Sequence, residues 1–69
     1  MHLAEAVALF RRLGVDVESM SSRDFSLAYF ALAKRYHPDR NPAGAELMAN
    51  INSARTTIVR SRAPARRRP

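Results

Sequence analysis

The feature that most constrains this chain is Pro38, which stands between two amphipathic stretches. Proline has no backbone N–H to donate and disfavours helix at the residue before it. A helix that includes Lys34, Arg35 and Tyr36 must therefore stop near Tyr36. His37, Pro38 and Asp39 are left on a stiff turn. Upstream, Phe25, Ala28, Tyr29, Leu32 and Tyr36 fall within a narrow arc at helical periodicity. Ser21 and Asp24 stand at capping-box spacing, although aspartate is shorter than the usual Glu or Gln partner. Met20 and Phe25 occupy the positions of a hydrophobic staple. These signals predict a helix over residues 22–36.

Two further helices flank it. Leu3, Ala6, Val7, Phe10 and Leu13 share the spacing of a buried stripe and predict a helix over residues 2–13. Gly14 follows where a left-handed residue ends a helix, and Val15 can then fold back as an apolar contact. A mitochondrial presequence is the competing reading of this segment. Glu5, and the way the segment runs straight into the core pattern, argue against it. Past the turn, Asn41 and Pro42 read as an N-cap followed by a first-turn proline. Leu47, Met48, Ile51, Ala54 and Ile58 predict a third helix over residues 42–59, leaving residues 37–41 as the loop. A loop this short makes the second and third helices antiparallel neighbours, with the first packed across them. The expected fold is all-α, a small helical bundle.

Size and charge narrow the functions available. Sixty-nine residues make one small domain, and no cysteine is present to staple it or to hold a metal by thiolate. No apolar run approaches the roughly 20 residues needed to span a bilayer. Residues 1–59 hold seven Lys/Arg against six Asp/Glu, whereas residues 60–69 hold five arginines and no acid. The basic character thus belongs to the tail, which lacks apolar periodicity, carries two prolines and reads as disordered. The body gives little reason to expect nucleic acid. The tail could meet phosphates of RNA, DNA or an acidic membrane in a sequence-blind way, or could simply be a solvated charged end. No catalytic residues and no cofactor are expected, because His37 and Asp39 have no further histidine but His2 and no cysteine to join them.

A named tripeptide arises by chance in such a chain about one time in a hundred, so context decides its weight. The run Leu32-Ala33-Lys34-Arg35-Tyr36-His37-Pro38-Asp39-Arg40-Asn41-Pro42 closely resembles the signature of the J domain, the DnaK-stimulating module of DnaJ-type co-chaperones. Leu13-Gly14-Val15 resembles the end of that family's first helix. Phe25, Ala28, Tyr29, Leu32, Ala33 and Tyr36 fall at its second-helix core positions. Met48, Ile51, Asn52 and Ala54 resemble its third-helix pattern. The resemblance covers roughly residues 8–58. It implies a non-enzymatic partner of a DnaK-type chaperone whose ATP hydrolysis it speeds. The implied contact residues are His37, Pro38, Asp39, Lys34, Arg35, Arg40, Asn41 and Tyr29. In that scheme Asp39 pairs with a chaperone arginine, His37 makes polar contacts or orients the loop, and Pro38 fixes the backbone between them.

The departures from the family point to a second surface. Its second helix usually presents a basic outer face, but here Ser26, Leu27, Phe30 and Ala31 stand where lysine or arginine is common. Arg23, Leu27 and Phe30 form a possible partner patch, for a specialised chaperone, another subunit or a region of a longer parent protein. Scattered exposed apolar residues are the plainer explanation of Leu27 and Phe30. Two alternatives to the co-chaperone reading therefore stand: a degenerate J-like adaptor using Leu27 and Phe30 without ATPase stimulation, and a small helical nucleic-acid binder driven by the tail. The family's fourth helix, a Gly/Phe-rich linker and a Cys-x-x-Cys zinc region have no counterpart here. A cysteine-free chain without a signal peptide points to the cytoplasm.

Overall fold

The computed structural model describes residues 1–62. Among them are three α-helices and no strand: α1 (Leu3–Arg12), α2 (Ser22–Tyr36) and α3 (Gly44–Arg62), with a 3₁₀ turn at Val17–Ser19 between the first two. None of these helices is long and apolar enough to cross a membrane.

Each end of α1 is closed by a recognisable device. At its start, the His2 N–H donates to the Glu5 carboxylate at 3.0 Å. That bond, made at the positive end of the helix, holds the Glu5 carboxyl below the ordinary glutamate value. At its end, Gly14 takes φ +88°, where a side chain would be strained. The Gly14 N–H then donates to Arg11 O at 3.0 Å and the Val15 N–H to Phe10 O at 2.8 Å. This is the paired bonding of a Schellman motif, and it turns Val15 into the core. The start of α2 is capped by Ser21, whose Oγ accepts from the Asp24 N–H at 3.1 Å. The reciprocal bond from the short Asp24 side chain is not made. Met20 packs against the core cluster that contains Phe25, as a staple requires.

The chain order of contacts shows α2 and α3 to be antiparallel. Tyr36 abuts Gly44 at the turn, Tyr29 meets Asn52 at mid-length, and Phe25 lies beneath Arg62 at the far end. The first helix lies along α3 more extensively than α2 does. The expected stripes supply the core: Ala6 and Phe10 from α1, Phe25 and Leu32 from α2, and Met48, Ile51, Ala54 and Ile58 from α3. Phe10 and Phe25 meet edge to face, with ring centroids 5.0 Å apart. Val17, read only as loop, is also buried, because the 3₁₀ turn presses it beneath α1 and α3. Leu3 departs from its stripe and is exposed, since the first turn of α1 projects to the edge of the core.

The third helix differs from its expected bounds at both ends. It starts at Gly44, not Pro42, so the loop spans residues 37–43. Asn41 does not cap the helix. Its Oδ1 accepts from the Ala43 N–H at 3.2 Å and its carbonyl accepts from the Gly44 N–H at 2.7 Å, which makes residues 41–44 a separate turn. Gly44 is buried so closely against Tyr36 that a Cβ there would collide with the Tyr36 carbonyl oxygen. At the other end the helix continues through Arg60, Ser61 and Arg62, three residues assigned above to a disordered tail. Nothing in Arg60-Ser61-Arg62 breaks a helix, and Pro64 first disfavours it at Ala63. The remaining expectation of disorder, over residues 63–69, lies outside the described residues.

Candidate functional site: the inter-helix loop and the adjoining face of α2

Two proline turns in succession build the loop. In His37-Pro38-Asp39-Arg40, the His37 carbonyl accepts from the N–H groups of Arg40 and Asn41, both at 2.9 Å. The His37 Nδ1 accepts from the Asp39 N–H at 3.2 Å. Asn41-Pro42-Ala43-Gly44 repeats the arrangement, with Asn41 Oδ1 in the place of the imidazole nitrogen. In each case a side-chain acceptor takes the N–H two residues on, as in an Asx turn, across a proline that restricts the backbone. His37 itself is extended (φ −59°, ψ 137°), as a residue before proline prefers.

This geometry assigns His37 a tautomer. An Nδ1 that accepts from a backbone N–H carries no proton, so the neutral ring's proton is on Nε2, which takes no part in the turn's own hydrogen bond. The Asp39 carboxylate stands 3.6 Å from Nδ1, and its side chain is 90% exposed against 55% for His37. The turn therefore uses the His37 carbonyl, the N–H groups of Asp39, Arg40 and Asn41, and one imidazole nitrogen. It leaves the Asp39 carboxylate and His37 Nε2 to an outside partner.

The other expected site residues divide into three places. Lys34 and Arg40 stand beside the loop, both exposed, and line one shallow groove with His37 and Asp39. The same groove continues along α2 over Leu27, Phe30 and Ala31, so the first turn of the loop and most of the apolar patch are one surface. Arg23 and Arg35 are exposed but lie outside the groove, and Arg35 is 5.7 Å from the Tyr36 ring centroid. Asn41 is half-buried and engaged in its own turn.

Tyr29 belongs to the third place, the α2–α3 interface. Its hydroxyl donates to Asn52 Oδ1 at 2.6 Å, and the Arg55 guanidinium lies 4.8 Å from its ring centroid. These contacts tie α2 to α3 and keep Tyr29 out of the groove. Sequence reasoning missed Ala33 as part of the groove, Gly44 as the residue that lets α3 approach Tyr36, and Arg62 as a structural anchor. A glycine two residues past Asn41-Pro42 was a visible signal for a close approach. Arg62 carried none, because its partner is a backbone carbonyl far away in sequence.

Comparison of the chain with protein-family models, with curated proteins and with solved structures finds no significant match.

Proposed function

We propose that this domain is a J-type co-chaperone module. It presents His37, Pro38 and Asp39 to an ATP-loaded DnaK-type chaperone and stimulates its ATP hydrolysis. The observation that carries the reading is the exposed Asp39 carboxylate on a turn held by its own His37, at the joint of two antiparallel helices with Lys34 and Arg40 alongside. The chemistry belongs to the chaperone. The loop acts as an allosteric contact that favours the hydrolysis-competent arrangement. In this scheme Asp39 meets a chaperone cation and His37 orients the loop, with Nε2 available for a further contact. The thinned basic face of α2 makes long-range steering weaker than for a lysine-rich helix.

The test is single-turnover ATP hydrolysis by a DnaK-type chaperone, with the intact domain and with Asp39→Asn. Loss of one member of a desolvated charge pair costs about 2–5 kcal/mol, so stimulation by the variant should vanish. Absence of stimulation by the folded, intact domain would count against the reading. It would favour the adaptor alternative, which rests on Leu27 and Phe30 being 59% and 55% exposed on the groove.

A further inference from the structure

The groove has more chemistry than the loop contact uses. Its floor is apolar, with Leu27 and, one turn further along α2, Phe30 and Ala31, and its rim is cationic, with Lys34 and Arg40. From Leu27 to Lys34 the helix rises about 10 Å, the length of two turns of an incoming helix. Neither cation has an acid partner among the described residues, where the one Lys/Arg ion pair is Arg11 with Glu18 and the Asp39 carboxylate stands near the His37 ring. Asp39, the one acid of the groove, stands at its loop end and is almost fully exposed.

We propose that this groove seats an acidic amphipathic helix of a partner, with apolar side chains at i, i+3, i+4 and i+7 on Leu27, Phe30 and Ala31 and carboxylates facing Lys34 and Arg40. The apolar floor calls for a partner that buries its own apolar stripe, and the unpaired cations call for one that carries acids beside that stripe. A second copy of this chain fits less well, because the same face offers only one acid, Asp39, against Lys34 and Arg40. The assignment stands on the groove alone and does not require the loop to act on an ATPase.

The experiment is an NMR titration of the full ¹⁵N-labelled chain with two synthetic helical peptides. Both have leucine at i, i+3, i+4 and i+7. One has glutamate at the flanking positions and the other has lysine. The glutamate peptide should perturb the amides of Leu27, Phe30, Ala31, Lys34 and Arg40. It should bind at least tenfold more tightly than the lysine peptide and at least tenfold more weakly to the Leu27→Ser/Phe30→Ser double variant. The two serines replace exposed side chains, so the circular dichroism spectrum and unfolding midpoint should match those of the parent. The tail arginines are common to both proteins, so the difference between them reports the groove. Equal affinity for the two peptides, no binding, or perturbations confined elsewhere would overturn the proposal. So would a concentration-dependent dimer in sedimentation that the double variant abolishes, since it would assign the groove to a second copy.

Discussion

The Nη2 of Arg62 donates to the carbonyl oxygen of Val17 at 2.7 Å, which ties the last turn of α3 to the 3₁₀ turn that precedes α2. The same guanidinium lies 5.9 Å from the Phe25 ring centroid. One side chain thus closes the end of the bundle furthest from the loop. The Val17 carbonyl receives a charged donor in a partly buried setting.

Arg62→Ala should therefore destabilise the domain by about 1.5 kcal/mol, the low end for a hydrogen bond with a charged partner. Arg60→Ala, at an exposed position on the same turn, should change stability by less than about 0.5 kcal/mol. Urea unfolding of both variants checks the contrast, and equal effects would mean that the Val17 contact contributes nothing.

The close approach of α3 to the end of α2 makes a sharper prediction. Alanine normally improves a helix over glycine by up to about 1 kcal/mol. At position 44 the new Cβ meets the Tyr36 carbonyl, which is backbone and cannot swing aside. Gly44→Ala should instead destabilise by about 1–3 kcal/mol, as overpacking does. Ala45→Gly, one residue further on at an exposed site, should cost no more than the propensity difference. Denaturant midpoints give both values, and a stabilised Gly44→Ala would show that the two helices do not meet this way.

Tyr29 offers a test of whether a residue assigned to a partner surface acts within the fold. Tyr29→Phe removes the donor to Asn52 Oδ1 and should cost about 0.5–1.5 kcal/mol. In a double-mutant cycle with Asn52→Ala most of that cost should appear as coupling. Single-turnover stimulation, by contrast, should be retained under conditions where the variant is folded. Additive costs in the cycle would dissolve the strut between α2 and α3.

The pH dependence of α1 follows from its cap. The Glu5 carboxyl is held below its ordinary value by the His2 N–H, so the folded state binds its proton less readily than the unfolded chain. The stability this supplies is complete above the ordinary glutamate pKa. It is lost as pH falls from there through the lowered folded value. The difference in unfolding free energy between the parent and Glu5→Ala should therefore be largest near neutrality and shrink on acidification. A difference that stays constant down to pH 2 would mean the cap is not made by the carboxylate.

The apolar stripes, the Gly14 stop and the Pro38 break were legible because each is a local rule written in adjacent residues. Periodicity alone placed Phe10, Phe25, Leu32, Ile51 and Ile58 in the core. What escaped was set by contacts between distant segments. Val17 is buried by the packing of a turn that has no period of its own. Arg62 found a carbonyl 45 residues away. Asn41-Pro42 satisfied the pattern of a helix start, yet the same two residues also satisfy that of a turn. Only the approach of Gly44 to Tyr36 decides between them. At the site, the loop and the outward face of α2 could each be named from sequence. Their union in a single groove depends on how the loop folds back along α2.

The role of His37 within the loop can be separated from its role towards a partner. Its Nδ1 is attached to Cγ, as Oδ1 is in asparagine, so His37→Asn can keep the bond to the Asp39 N–H while removing Nε2. His37→Ala removes both. Asp39 amide exchange should therefore be faster in His37→Ala than in the parent, with His37→Asn close to the parent. If stimulation needs only the shape of the turn, His37→Asn should retain it. If Nε2 meets the chaperone, both variants should lose it although only His37→Ala loses the bond to the Asp39 N–H. We expect the second pattern, because the backbone bonds from Arg40 and Asn41 to the His37 carbonyl already hold the turn without the imidazole. Amide exchange and single-turnover hydrolysis measured on the same two proteins decide it, and full stimulation by His37→Asn would reduce His37 to a spacer.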